Sequence, residues 1–290
     1  MMIGVIGIGS MGRGIVKTFL RESYRVTVYD IDQKRTKKAV RMGAHAAENI
    51  TDLVDQCDPI FLSLPNSATL VKVVEESLLP KIKKEQTVID LGTTISIETR
   101  RLHKAFAQKG AYFIDAPVSG GPRGSATGSL YIFVGGDPEP VKVQWPLLGL
   151  LGKTRLTYCG SSGKGQITKA VNQMAMGLTE AALIEAIAFG ANAGVDPKIL
   201  LNAIGDKSGF RQEFTNVASR IIAGQGSQMD CKYAELNYFL AESKEKNFPM
   251  PILEHLYSWL KKFPENSVDN MGRSFSSFWS SLRNDHKSDN

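Results

Sequence analysis

The chain has 290 residues, 42% apolar and 22% charged, the composition of a globular protein of about two domains with a core of its own. Its formal net charge of +6 is spread over short groups such as Lys34–Arg35 and Lys37–Lys38, and no like-charge run has the length of a nucleic-acid arm, so no nucleic-acid partner is expected. Three distant cysteines (Cys57, Cys159, Cys231) with no C-x-x-C pair, and four scattered histidines, argue against a disulfide scaffold or a metal site and point to a reducing, cytoplasmic setting.

The apolar N-terminus has no charged leader before it and is not read as a signal peptide. Its first strand, Ile3–Ile6, runs directly into Gly7-Ile8-Gly9-Ser10-Met11-Gly12 and a helical stretch from Met11 to Leu20. In such a strand–turn–helix, Gly7 makes the tight turn, Gly9 lets a pyrophosphate approach the backbone, and Gly12 allows close helix–strand packing. The phosphates then meet free amides at the positive end of the helix. A lone G-x-G-x-x-G is a weak signal that any flexible glycine turn satisfies; strand, helix and acid together at the required places make it a dinucleotide fingerprint. The acid is Asp30, which closes the next strand, Val26–Tyr29, 18 positions after Gly12. A carboxylate there accepts from the ribose 2′-OH and repels a 2′-phosphate, which predicts NAD over NADP, with Lys34 and Arg35 as the counter-signal.

A helix from about Asp32 to Met42 is expected to stop at Gly43, followed by strands at Ile60–Leu64 and Thr87–Leu91. A further helix has Ser96 as its N-cap, Glu98 in its first turn and Gly110 just past its end. Strand Tyr112–Ile114 leads into Asp115-Ala116-Pro117-Val118-Ser119-Gly120-Gly121, a segment that leaves a hydroxyl and consecutive amides exposed, as suits a carboxylate; an ordinary glycine-rich turn would read the same. Strands at Leu130–Val134 and Leu156–Tyr158 complete the set.

The texture changes near Gly160, beyond which the pattern is helical. One long helix spans Gly165 to Gly194; its apolar stretch Met174–Val195 contains Glu180 and Glu185, which favours a buried helix over a membrane span. Breaks follow at Asp196–Pro197, Gly224–Gly226, Pro249–Pro251 and Pro264, and Arg283–Asn290 reads as a polar tail. The fold class is therefore an α/β Rossmann-type dinucleotide-binding domain, residues 1–162, joined by a long helix to an all-α domain, residues 163–290. The long helix carries Lys169 with Asn172 and Gln173 three and four positions on, all on one face. A lone helical lysine is usually a solvated charge; one followed by amides on its own face of an apolar helix is less easily dismissed.

Taken together, these motifs resemble the β-hydroxyacid dehydrogenase family. The resemblance rests on GIGSMG, Val28–Asp30, Ser63–Asn66 (SLPN), Asp90–Thr94 (DLGTT), DAPVSGG, Val134–Gly136, and G-x-x-G-x-G-x-x-x-K-x-x-N, in the family's order over nearly the whole chain. It implies that Gly7, Ile8, Gly9, Ser10, Met11, Gly12 and Asp30 hold the cofactor, and that Leu64, Pro65 and Thr93 line its nicotinamide side. Ser119, Gly120 and Gly121 would hold the carboxylate of a small substrate. Lys169 would be the acid/base, with Asn172 or Gln173 hydrogen-bonding the substrate. No metal is implied, and the helical domain would form much of a homodimer or homotetramer interface. One departure stands out. Counting back from Phe248-Pro249-Met250-Pro251, Ala234-Glu235-Leu236 occupy the positions of the family's Lys-Asp-Leu, so the cofactor-reaching lysine is absent and Lys232 lies two residues earlier.

A lysine near its ordinary pKa of about 10.4 is protonated at neutral pH and ready to act as an acid in aldehyde reduction. Oxidation needs it neutral, and burial beside a cationic nicotinamide pushes its pKa down. Other readings open at this stage are reduction of glyoxylate, succinic semialdehyde or another short-chain aldehyde, and a non-catalytic NAD-binding scaffold. Imine reduction is disfavoured, since imine reductases of this fold generally replace the lysine. The pocket for the substrate's side chain is expected near Phe210, Phe214 and Phe239.

Overall fold

The apolar runs of the first half form one sheet of nine strands: β1 (Met2–Ile6), β2 (Arg25–Tyr29), β3 (His45–Ala46), β4 (Ile60–Leu62), β5 (Thr87–Asp90), β6 (Tyr112–Asp115), β7 (Val118–Ser119), β8 (Tyr131–Gly135) and β9 (Leu156–Gly160). Their order is β3-β2-β1-β4-β5-β6-β8-β7, with β9 paired to β8. The first six are parallel, and β8 runs antiparallel to β6 and β7. Because helices cover both faces of a parallel sheet, its strands read as continuous Val/Ile runs without alternation; β4 and β5 are buried at every position. The helices are α1 (Ser10–Arg21), α2 (Gln33–Val40), α3 (Ile50–Gln56), α4 (Ser67–Val73, continued by a π-helical turn), α5 (Ser96–Gln108), α6 (Gly121–Thr127) and α7 (Pro138–Leu151). The strand order reverses between β1 and β4, and the crevice beyond their C-terminal ends is where doubly wound sheets bind ligands.

The computed structural model describes residues 1–153, 155–224, 233–262, 279 and 282. Cys231, Lys232, Pro264, the polar tail and the far side of the Gly224–Gly226 break lie outside the described residues. The chain divides into two compact units, Met1–Lys169 and Ala170–Asn290. α8 (Lys164–Asn192) is continuous through that boundary and is followed by α9 (Pro197–Ile204), α10 (Gly209–Ile222), α11 (Tyr233–Lys246) and α12 (Pro251–Lys261). The second unit's core is built from Ile184 and Ile187 of α8, Val217 of α10, Leu236 of α11, and Leu253 and Leu260 of α12.

Several expectations are corrected. β4 stops at Leu62, before Pro65, which has no N–H to extend a ladder. β5 stops at Asp90, whose carboxylate turns the chain by accepting from Gly92 N at 2.8 Å. Ser96 is the first residue of α5, not its cap; Ile95 holds the cap position and donates its N–H to Ser67 Oγ at 3.1 Å. Strands β3 and β7 have two residues each, too short to leave a period-2 signal. The long helix is buried on one side only, through Ala181, Ile184 and Ile187, while Val171 and Phe189 are 57% and 77% exposed. It is long and apolar enough to cross a membrane by length and composition alone. Phe214 and Phe239 are buried in the helical core, whereas Phe210 is exposed.

Candidate active site

The glycine turn is built by close backbone approaches. Gly7 has φ +91°, a conformation that side-chain-bearing residues rarely adopt, and its N–H donates to Tyr29 O at 2.9 Å. A Cβ on Gly12 would fall inside contact with the carbonyl oxygen of Gly7, so only glycine lets α1 start this close to β1. Gly9 differs. A Cβ there meets nothing nearer than Arg35 Nη1 at 3.9 Å, and Gly9 supplies no side-chain cap to the first turn of α1. An open backbone edge beside uncapped helix amides fits the pyrophosphate of a dinucleotide. Ser10 is exposed and Met11 partly buried on that edge, while Ile8 packs into the core.

Asp30 does more than close β2. Its carboxylate is buried and accepts from Ile8 N at 2.6 Å and from Asp32 N at 2.8 Å, which staples the glycine turn to the end of β2. Arg35 approaches Asp30 at 3.6 Å and Asp32 at 3.3 Å, so its charge is shared between two carboxylates. On the other side, Leu64 lies against Gly7, and the Gly92 backbone approaches the Leu64 carbonyl, which gathers the loops after β1, β4 and β5. Pro65 is exposed there and Thr93 is partly buried.

Ser119 is half-buried in β7, opposite Tyr131 of β8. Gly120 and Gly121 follow with φ +118° and +63°, both exposed, and a Cβ on Gly121 would meet nothing within 4 Å. Successive amides in such a turn form an anion-accepting concavity. The helix that follows, α6, is locked to α1: Gly14 has no room for a Cβ beside Ser125, and Thr18 Oγ1 donates to Ser125 O at 2.9 Å. The glycine turn and the Ser119–Gly121 turn are thereby held to one another through rigid elements.

On α8, Lys169 is buried, 5% exposed. Gln173 is buried as well, and its Nε2 donates to Glu235 Oε2 of α11 at 3.2 Å. Asn172 is only half-buried, and its amide makes one long contact, 3.5 Å, to Met176 Sδ.

Residues 2–160 match the profile of the NAD-binding domain of 6-phosphogluconate dehydrogenase, and residues 163–271 match that described as NAD-binding of NADP-dependent 3-hydroxyisobutyrate dehydrogenase. The chain belongs to the β-hydroxyacid dehydrogenase family. It is 32% identical over 257 residues to 2-(hydroxymethyl)glutarate dehydrogenase of Eubacterium barkeri, covering 86% of this chain and 85% of that one. To the mitochondrial 3-hydroxyisobutyrate dehydrogenase of Bos taurus it is 31% identical over 209 residues, 71% of this chain and 62% of that longer protein, so less than two thirds of that relative is spanned. The fold is shared with Mycobacterium tuberculosis 3-hydroxyisobutyrate dehydrogenase, solved with L-serine, at TM-score 0.83 and 22% identity over 97% and 99% of the two chains.

Of the positions compared with the family's Lys-Asp-Leu, Ala234 lies in the first turn of α11, and Lys232 lies outside the described residues. Glu235, next in line, is buried and occupied by Gln173. Three further residues have no role assigned from sequence. Asp90, Asp115 and Gln166 are fully buried together at the ends of β5 and β6 and the first turn of α8. Burial pushes the Asp90 carboxyl up to about 7 against the hydrogen bonds from Thr94 and Gly92, with the Asp115 charge adding to the rise. Burial likewise pushes Asp115 up to about 6, opposed by the amides of Gly163 and Gln166. The signal available in sequence was an acid closing an otherwise apolar strand, twice.

Proposed function

We propose that the enzyme transfers a hydride between NAD(H) and a small β-hydroxy acid or its semialdehyde, with Lys169 moving the proton at the reacting oxygen. The burial of Lys169 at 5% exposure, with the half-buried amide of Asn172 three positions on along the same helix, carries this reading. The nicotinamide, when bound, accepts or supplies the hydride. The Ser119 hydroxyl and the Gly120–Gly121 amides hold the substrate carboxylate, so simple alcohols react poorly. Lys169 donates a proton during reduction and, when neutral, takes one during oxidation. Asn172 serves as the substrate-facing amide in preference to Gln173, whose amide already donates to Glu235.

NAD is the cofactor on this reading. Arg35 is shared between Asp30 and Asp32, which leaves a 2′-phosphate facing two carboxylates at the β2–α2 turn. The profile whose description names NADP matches residues 163–271, beyond that turn. The test is a panel of 3-hydroxyisobutyrate, 2-(hydroxymethyl)glutarate, glyoxylate and succinic semialdehyde with each cofactor, followed by absorbance of the reduced form. Turnover of at least one β-hydroxy acid, faster with NAD, is expected; silence across the panel in both directions sinks the proposal. Asp30→Asn, which keeps an acceptor for Ile8 N but removes the charge, should narrow the NAD preference by about tenfold, the equivalent of ~1.4 kcal/mol. An unchanged ratio assigns the preference elsewhere.

The enzyme also works as a homodimer or homotetramer through its helical unit on this reading. The support is the set of exposed apolar side chains Val171, Phe189, Ile199, Phe210, Phe248 and Ile252, all within Ala170–Asn290. Sedimentation equilibrium returning a monomer at micromolar concentration would refute it.

A further inference from the structure

α8 begins without a cap of its own. Gly163, just before its first residue, has φ +85° and no side chain to offer the free amides of the first turn. The cap comes from elsewhere in the chain: Asp115, at the end of β6, accepts from Gly163 N at 2.9 Å and Gln166 N at 3.0 Å. Two glycines make room for it. A Cβ on Gly135 would stand 2.7 Å from both Asp115 carboxylate oxygens, and one on Gly165 would stand 2.8 Å from Oδ2. A side-chain cap contributes about 1 kcal/mol, and a carboxylate at a helix N-terminus adds to that.

The Gln166 side chain then ties this turn to the loop after β5, with every polar group of its amide engaged. Oε1 accepts from Thr94 N at 3.0 Å, while Nε2 donates to Asp90 Oδ2 at 3.2 Å and to Gly92 O at 3.0 Å. Asp90 is itself held by Thr94 Oγ1 at 2.6 Å and Gly92 N at 2.8 Å. The loop so gripped is Gly92–Thr94, which contains Thr93, and the gripping residue stands three positions before Lys169 on the same helix. Hydrophobic contact alone leaves a helix free to slide or rotate by a fraction of an ångström. A saturated amide on one side and a two-point cap on the other do not.

We infer that Gln166 is a positioning residue for the reaction, setting the register between the loop that carries Thr93 and the turn that carries Lys169, with Asp90 and Asp115 as its anchors. The inference rests on Lys169 being the proton-transferring group and Thr93 lying at the cofactor. Gln166 touches neither substrate nor cofactor. It acts by fixing where a group that does so stands, and misplacement of about 1 Å can cost on the order of 10²-fold in rate.

The experiment uses the full-length enzyme with NAD and 3-hydroxyisobutyrate, measuring kcat, KM for each ligand, and thermal midpoint. Gln166→Ala is expected to lower kcat by about 10²-fold while leaving the KM for NAD within a few-fold. Gln166→Glu keeps the shape and the acceptor for Thr94 N but turns an oxygen toward Asp90 and the Gly92 carbonyl, so its kcat should fall as well. Adding Asp90→Asn to Gln166→Glu returns a donor to the Asp90 contact from the other side while the Gly92 carbonyl stays unpaired, so kcat should recover in part. Recovery of the thermal midpoint without recovery of kcat overturns the inference, as does a wild-type kcat in Gln166→Ala. Should Gln166→Ala fail to fold, Gln166→Glu and the double variant decide alone. Lys169→Ala, run beside them, separates the two levels: wild-type turnover there removes the reading beneath, whereas an inactive Lys169→Ala beside a fully active Gln166→Ala removes only the positioning role.

Discussion

Replacing Lys169 with alanine is expected to lower kcat by about 10²–10⁴-fold, the usual worth of a positioned acid/base, with little change in NAD affinity. The glycine turn that the cofactor would use is built by Gly7, Gly12, Tyr29 and Asp30, none of which needs Lys169 for its geometry. Two controls separate chemistry from packing. Lys169→Met keeps an apolar stem in a position that is 5% exposed, so it should be as inactive as alanine while perturbing stability less. Added methylamine should return part of the activity to Lys169→Ala and none to a merely misfolded protein. NAD binding is followed by quenching of intrinsic fluorescence, turnover by absorbance of the reduced cofactor. Near-wild-type turnover in Lys169→Ala would refute the assignment, and loss of NAD binding with loss of activity would recast Lys169 as a cofactor residue.

What the sequence disclosed and what it concealed have separate physical causes. The glycine turn was legible because steric needs at Gly7 and Gly12 fall on adjacent residues at fixed spacing, where only one residue type satisfies them. The parallel sheet was legible because burial on both faces writes itself as unbroken β-branched runs. The second function of Asp30 was not legible: acceptance from Ile8 N depends on where β2 brings the carboxylate relative to β1, a contact across 22 positions. Gln166 was hidden for the same reason, its partners lying 72 to 76 positions earlier on another strand end. The steric need for glycine at position 14 likewise comes from a distant element, Ser125 of α6. The engagement of the Gln173 amide was hidden too, since its partner, Glu235, lies 62 positions on. Local sterics are written in short motifs, whereas long-range polar contacts need the fold.

Two alanine substitutions in the same turn should fail in opposite ways. Gly12→Ala places a methyl inside contact with the Gly7 carbonyl oxygen, and its next neighbour is the Gly7 carbonyl carbon at 3.0 Å, so the backbone itself must move. Relief requires α1 to withdraw from β1, yet α1 is fixed on its other side by Gly14 against Ser125 and by the Thr18 hydrogen bond. Overpacking of this kind costs about 1–3 kcal/mol, which should lower the thermal midpoint of the unliganded enzyme by several degrees and weaken NAD binding with it. Gly9→Ala adds the same methyl where φ is −67° and the backbone extended, with only the flexible end of Arg35 at 3.9 Å. The unliganded thermal midpoint should therefore stay where it is, while NAD affinity falls by about tenfold or more, ~1.4 kcal/mol per decade, because the methyl occupies the edge that the pyrophosphate would approach. Differential scanning fluorimetry with and without NAD reads both effects in one experiment. A Gly9→Ala enzyme that NAD stabilises as fully as wild type would move the pyrophosphate away from Gly9. A Gly12→Ala enzyme of unchanged thermal midpoint would mean that α1 can shift without disturbing its packing on α6, contrary to the Gly14–Ser125 contact.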